Sequence, residues 1–175
     1  MIEEPDTPRD HIARLVARRR AETPEVPLDG MEVFGRARRL TILSRPVIEG
    51  VFARHGLDTG EFDVLATLRR SGDPFELRPT ELMTDLMISS GGLTDRLNRL
   101  ERKGLIERRI AAGDRRSSLA CLTGAGRALI DTAYAEDMAV EEEMLAPLSA
   151  DERRTIARLL AKLLTGLESG TSLAD

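Results

Sequence analysis

Apolar residues recur at helical spacing through most of this chain and switch to strict alternation in one place. Ile12, Leu15 and Val16 mark a short amphipathic stretch, and "ETPEVPLDG" after it reads as a connector. Val33, Phe34, Ala37, Leu40, Val47, Ile48, Val51 and Phe52 then share one face of a long helix. Asp29 and Glu32 have the spacing of a capping box at its start, Gly56 stops it, and Pro46 is expected to kink or interrupt it. A further helix follows Thr59, turns Phe62, Leu65 and Leu68 inward, and ends at Ser71 and Gly72. Pro79 suits the first turn of a short helix that runs through Leu82 to Leu86. Ser89 and Ser90 can cap the next, which continues to Lys103 and stops at Gly104.

After Gly104 the period changes to two: "LIERRI" and "SLACL" are strand-like, and "AAGDRRS" joins them as a hairpin loop. Helix, turn, helix and hairpin in that order make a winged helix. Two longer helices follow, at about 123–146 and after a capping box formed by Ser149 and Glu152, the second with Leu159, Leu160, Leu163, Leu164 and Leu167 apolar. The expected fold is mainly α with a small β-hairpin: a winged helix-turn-helix domain plus N- and C-terminal dimerisation helices. The segments are an extension (1–30), a dimerisation helix (31–56), the winged domain (57–122), C-terminal dimerisation helices (123–168) and a tail (169–175). The flanking helices hold apolar surface that a domain of about 80 residues could not bury alone. A homodimer uses it; a larger monomeric helical core is the alternative.

The formal net charge is −4, yet residues 89–120 carry eight Arg or Lys against four acids, so the rest of the chain sums to −8. Every charged residue from Asp131 to Glu152 is acidic. A local cationic surface on an acidic body steers a polyanion to one place, although a solvated charged face reads the same way. One cysteine and two histidines supply no zinc site, one cysteine closes no disulfide, and no cofactor is called for. No apolar run reaches the roughly 18 residues of a membrane span, and an acidic start is a poor signal peptide, so a reducing cytoplasm is expected.

On a helical wheel, "SGGLTDRLNRLERKG" puts Leu93, Leu97 and Leu100 toward the core and Gly91, Thr94, Asp95, Asn98 and Arg99 on the opposite face. That face suits a major groove, with Asn98 and Arg99 as candidates for base or phosphate contact. Ser89, Ser90 and the helix N-terminus can bind phosphate, and Asp95 either meets a base or holds Arg99 one turn on. Arg115 and Arg116 at the hairpin tip can reach a phosphate or a narrow minor groove, with Asp114 orienting Arg116. Arg96 falls beside Leu100, and strand alternation sets Arg108 on one face with Ile106 and Ile110. These two arginines are expected to turn inward, toward an internal acid or an anion pocket.

"SSGGLTDRLNRLERKGLIERR", the wing "GDRRSSLACLT" with its Asp-x-Arg, and "GAGRAL" resemble the MarR family of bacterial regulators from about residue 30 to 168. The extra N-terminal helix, "EFDVLATLRRSG" and "PTELM" are similar to the branch that includes urate-responsive repressors. The resemblance implies a homodimeric repressor on palindromic double-stranded DNA, released by a small anionic ligand. It also implies a ligand site of Asp63, Arg96 and Arg108, with Arg19, in "LVARRRAE", standing where that branch has a tryptophan. A cation there favours a more highly charged or less aromatic anion than urate.

No metal spacing, catalytic triad or Gly-rich phosphate loop supports an enzyme. Cys121, in an apolar strand, reads as a packed thiol rather than a redox switch, Met83 and Met87 as core filler, and His55 as a helix-ending residue. The competing class is a winged-helix protein-interaction module that binds no DNA.

Overall fold

The computed structural model describes residues 10–111 and 114–170, the side chains of residues 111–117 excepted. Its elements are α1 (His11–Glu22), α2 (Asp29–Arg54), α3 (Thr59–Arg70), β1 (Glu76–Leu77), α4 (Pro79–Leu86), α5 (Ser90–Arg102), β2 (Ile106–Ala111), β3 (Asp114–Leu122), α6 (Gly124–Met144) and α7 (Ala150–Glu168). The described residues divide into two compact units, and the division falls within α2 between Val47 and Ile48, just past Pro46. Pro46 does not end the helix, which runs without a break to Arg54.

In the N-terminal unit, Asp10 caps α1 by accepting from the Ala13 amide at 2.7 Å. Ile12 and Val16 pack with Leu28, and Gly35 lets α2 approach α1 closely, since a Cβ there would lie 3.1 Å from Ile12. The capping box expected of Asp29 and Glu32 does not form, because the helix already begins at Asp29; Glu32 pairs instead with Arg36, which also reaches Asp10 at 2.8 Å.

The larger unit is built on α3, whose N-cap Asp58 forms a capping box with Glu61. Leu65 and Leu68 of α3, Leu82 of α4, Leu93, Leu97 and Leu100 of α5, Ile106 of β2 and Ile130 of α6 form one core with Val51 and Phe52. The sheet is antiparallel in the order β1-β3-β2, and β1, only two residues long, was not expected from the sequence. It pairs Glu76 with Cys121 and Leu77 with Ala120. The hairpin is longer than the alternation suggested, because β3 starts at Asp114. Thr123 fastens its base: its amide and hydroxyl both donate to the Leu105 carbonyl at 3.1 Å, and its side chain caps α6. The Ser149 and Glu152 box forms as read, but α7 buries no residue, and Ile156, Leu159, Leu160, Leu164 and Leu167 are all exposed.

Candidate nucleic-acid interface

The second helix of the helix-turn-helix presents a polar, open first turn. Helix α4 closes on Met87 in the left-handed region, at φ 52°, and Ser89 becomes the N-cap of α5 without a side-chain capping bond. The first-turn N–H groups of a helix have no intrahelical acceptor, so they point out with a partial positive charge. Ser89, Ser90, Gly91, Gly92, Thr94 and Asn98 are exposed, while Thr94 returns its hydroxyl to the Ser90 carbonyl at 2.9 Å. Met87 is not core filler; at 89% exposure it stands in the turn directly before this surface.

Further along α5 the arrangement changes from open to fastened. Arg99 Nη2 donates to Asp58 at 2.7 Å, Nε to Glu61 at 3.3 Å and Nη1 to Asp95 at 2.5 Å. Glu61 is 2% exposed and also accepts from Lys103 Nζ at 2.6 Å; that ammonium donates to the Gly56 carbonyl at 2.8 Å as well. Burial acts to raise the Glu61 carboxyl pKa, but Lys103, the Asp58 amide and Arg99 outweigh it and hold the group below its ordinary range. Asp95 therefore holds Arg99, one of the two roles its position allowed. Asp58 and Glu61 were not singled out as site residues in the sequence, although their own capping-box spacing was readable there.

The inward arginines part company. Arg96 is half-buried against α3, where a Cβ on Gly60 would lie 2.4 Å from its Nε. Asp63, half-buried on the same helix, is raised above the usual carboxylate range by burial, against the pull of Arg96 and Arg70. Arg108 instead is exposed and crosses to the other flank of α5, donating to Asn98 Oδ1 at 2.5 Å and lying 3.5 Å from Glu101. Its expected burial fails because the core ends at Ile106; the alternation continues, but Ile110 on the same face is already 70% exposed. Arg108 borders a cavity of about 190 Å³ between α4, α5 and the sheet, together with Ser90, Thr94, Leu97 and Ser118. Arg19 lies in the N-terminal unit, exposed on α1 beside an open groove of Leu15, Leu28 and Met31.

In the wing, β2 and β3 run in register from the Ile106 and Leu122 pair to an irregularity after Ile110. The backbone of Asp114, Arg115 and Arg116 belongs to β3, and their side chains lie outside the described residues. Cys121 is buried, its thiol donates to Glu76 at 3.4 Å, and burial with that neighbouring carboxylate pushes its pKa up to about 11. Among the described residues no cluster of His, Cys, Asp and Glu could hold a metal, and no helix is long and apolar enough to cross a membrane.

A helix-turn-helix followed by a two-stranded wing, whose sheet β1 completes from before α4, defines a winged helix-turn-helix protein of the transcription-regulator class. The chain belongs to the MarR family, whose sequence profile matches residues 55–117. It is 36% identical to the HTH-type transcriptional regulator PecS of Dickeya dadantii, over 87% of this chain and 92% of that protein. A cysteine-to-serine variant of E. coli MarR, solved with operator DNA, is similar at 27% identity with a TM-score of 0.66, covering 79% of this chain and 99% of the other. AbsC, a MarR family transcriptional regulator from Streptomyces coelicolor, shares the fold at 19% identity and a TM-score of 0.72, covering 82% and 97%. The family is one of transcriptional regulators and not of enzymes.

Proposed function

We propose that this chain is a sequence-specific transcriptional repressor that binds palindromic double-stranded DNA as a homodimer and releases it when a small anion binds. The observation that carries the DNA reading is the uncapped, exposed first turn of α5, with Ser89, Ser90 and Gly91 over outward N–H groups, beside a hairpin that carries Arg115 and Arg116. Such a turn binds phosphate, and the side chains just inside it meet base edges. The operator complex of the similar E. coli protein supports the same use of the fold.

Homodimerisation is supported by α7, a helix whose apolar stripe stays exposed at Ile156, Leu159, Leu160, Leu164 and Leu167 among the described residues. The part of α2 in the N-terminal unit likewise exposes Phe34, Leu40 and Leu43. Contiguous apolar faces of this kind on a folded protein mark association surfaces.

For the anionic effector, Asp63 and Arg96 form one candidate anchor and Arg108 another, on opposite flanks of α5; Arg19 is the third cation of the proposed set. The cavity at Arg108, about 190 Å³, exceeds the roughly 150 Å³ that accommodates benzene, so a one-ring acid fits. Titration calorimetry with urate, aromatic acids and polycarboxylates tests this: heat is expected for wild type and reduced heat for Arg96→Ala or Arg108→Ala. Absence of heat across the panel removes the effector reading.

Retention on random duplex DNA as a function of salt separates the regulator from a protein-interaction module. The regulator reading predicts a steep, log-linear fall, and Arg116→Ala should weaken all sequences alike while lowering the slope by about 1. Salt-independent behaviour favours the interaction module.

A further inference from the structure

We propose that Arg99, on the outward side of the recognition helix α5, is a positioning residue that never touches DNA: it fastens the C-terminal half of α5 to the start of α3 and so sets where the first turn meets the duplex. The proposal rests on the DNA-binding reading above.

All three guanidinium nitrogens of Arg99 are engaged, each with a different carboxylate: Asp58, Glu61 and Asp95. With Lys103 the cluster holds two cations against three anions. A phosphate approaching Arg99 therefore meets a net negative group, and binding it would require displacing a carboxylate already hydrogen-bonded. Glu61 cannot follow into water, because it is 2% exposed and is also tied to Lys103 and to the Asp58 amide. The opposite flank of α5 is fastened too, by Arg108 on Asn98 and Glu101. Clamped on both sides behind Thr94, α5 leaves its N-terminal half free to read. The leverage is large: Ser90 and Arg99 are separated by about 13 Å of helix at 1.5 Å per residue, so a tilt of roughly 10° about the clamp moves the first turn by about 2 Å. Hydrogen bonds to base edges do not survive such a shift.

The test compares wild type, Arg99→Ala, Glu61→Gln and the double variant on two duplexes, one selected by the wild-type protein from a random pool and one random, across a salt series. Fluorescence anisotropy of labelled DNA gives affinity and salt slope, and circular dichroism confirms that each variant is folded. The expected result is an unchanged salt slope and nearly unchanged affinity for random DNA, with a loss of about tenfold in discrimination for either single variant, the size of one charged hydrogen bond. The double variant should lose no more than the single ones. Glu61→Gln is the decisive variant, since a buried side chain cannot act by touching DNA. A slope reduced by about 1 in Arg99→Ala, with equal losses on both duplexes, identifies a phosphate contact and overturns the proposal. Full discrimination in Glu61→Gln overturns it as well. A wild-type protein that binds neither duplex overturns the regulator reading itself, and the wild-type controls tell that failure apart from the others.

Discussion

Gly126 is the position where a single methyl group should do most harm. It lies in the first turn of α6, and a Cβ there would sit 2.0 Å from the carbonyl oxygen of Leu105, with Leu122 Cδ1 at 3.0 Å. An ordinary contact is over 1 Å longer than 2.0 Å, and the obstacle is backbone rather than a side chain that can swing away. The same carbonyl accepts from the amide and the hydroxyl of Thr123, and the Gly126 amide donates to that hydroxyl at 3.0 Å. Moving Leu105 disturbs the amide hydrogen bond and a hydroxyl bond that the Gly104 carbonyl shares at 2.9 Å, together worth about 1–2 kcal/mol. Crowding adds about 1–3 kcal/mol. The better helix propensity of alanine returns at most about 1 kcal/mol. Gly126→Ala should therefore destabilise the protein by about 3 kcal/mol and lower Tm by about 6–12 °C. Urea unfolding followed by circular dichroism measures this, with the midpoint falling at unchanged slope. Gly91→Ala is the control: among the described residues nothing lies within 4 Å of a Cβ there, so it should stabilise the fold slightly. A neutral or stabilised Gly126→Ala would refute the packing of α6 against the base of the wing.

Met87 combines a φ of 52° with 89% exposure, so Met87→Gly relieves a left-handed backbone without losing buried contacts and should stabilise by about 1 kcal/mol. Asp137 is 4% exposed on α6, its Oδ1 has no hydrogen-bond partner among the described residues, and burial raises its carboxyl pKa, with Glu141 adding to the effect. A raised carboxyl favours the folded state at low pH and penalises it once the pH rises through the folded value. Asp137→Asn should thus stabilise at pH 7 by about 1 kcal/mol or more, and the advantage should vanish as the pH drops below the ordinary Asp range; equal gains at both pH values would contradict the cause given. Cys121, buried with a pKa of about 11, should ignore a water-soluble thiol reagent at pH 8 in the native protein and react once it is unfolded in urea. Rapid native-state labelling would show the strand to be open.

The order of the helices and of the hairpin was legible because it rests on local signals, whereas β1 forms only by pairing with β3. The Leu93, Leu97 and Leu100 stripe, Gly104 and the alternation around Ile106 each act within a few residues. Long-range partners were not legible: Arg99 meets Asp58 and Glu61 across roughly 40 positions of chain, and no wheel shows which neighbouring helix brings its acids. The same limit separated Arg108 from the core, since alternation tells which side of a strand a residue takes and not where the packed layer ends. Met87 read as core filler for a related reason, as its place in the helical pattern of α4 hides the left-handed turn that swings it out. The wing arginines were legible as charge alone.

Reading a DNA sequence as a two-fold protein is the function proposed for this fold. Selection of bound duplexes from a random pool by the full chain tests it most directly. A two-fold winged helix should enrich a palindrome whose half-sites lie about one helical turn, roughly 10 base pairs, apart. A pool that stays random after repeated rounds, or a single unrepeated half-site, would contradict it.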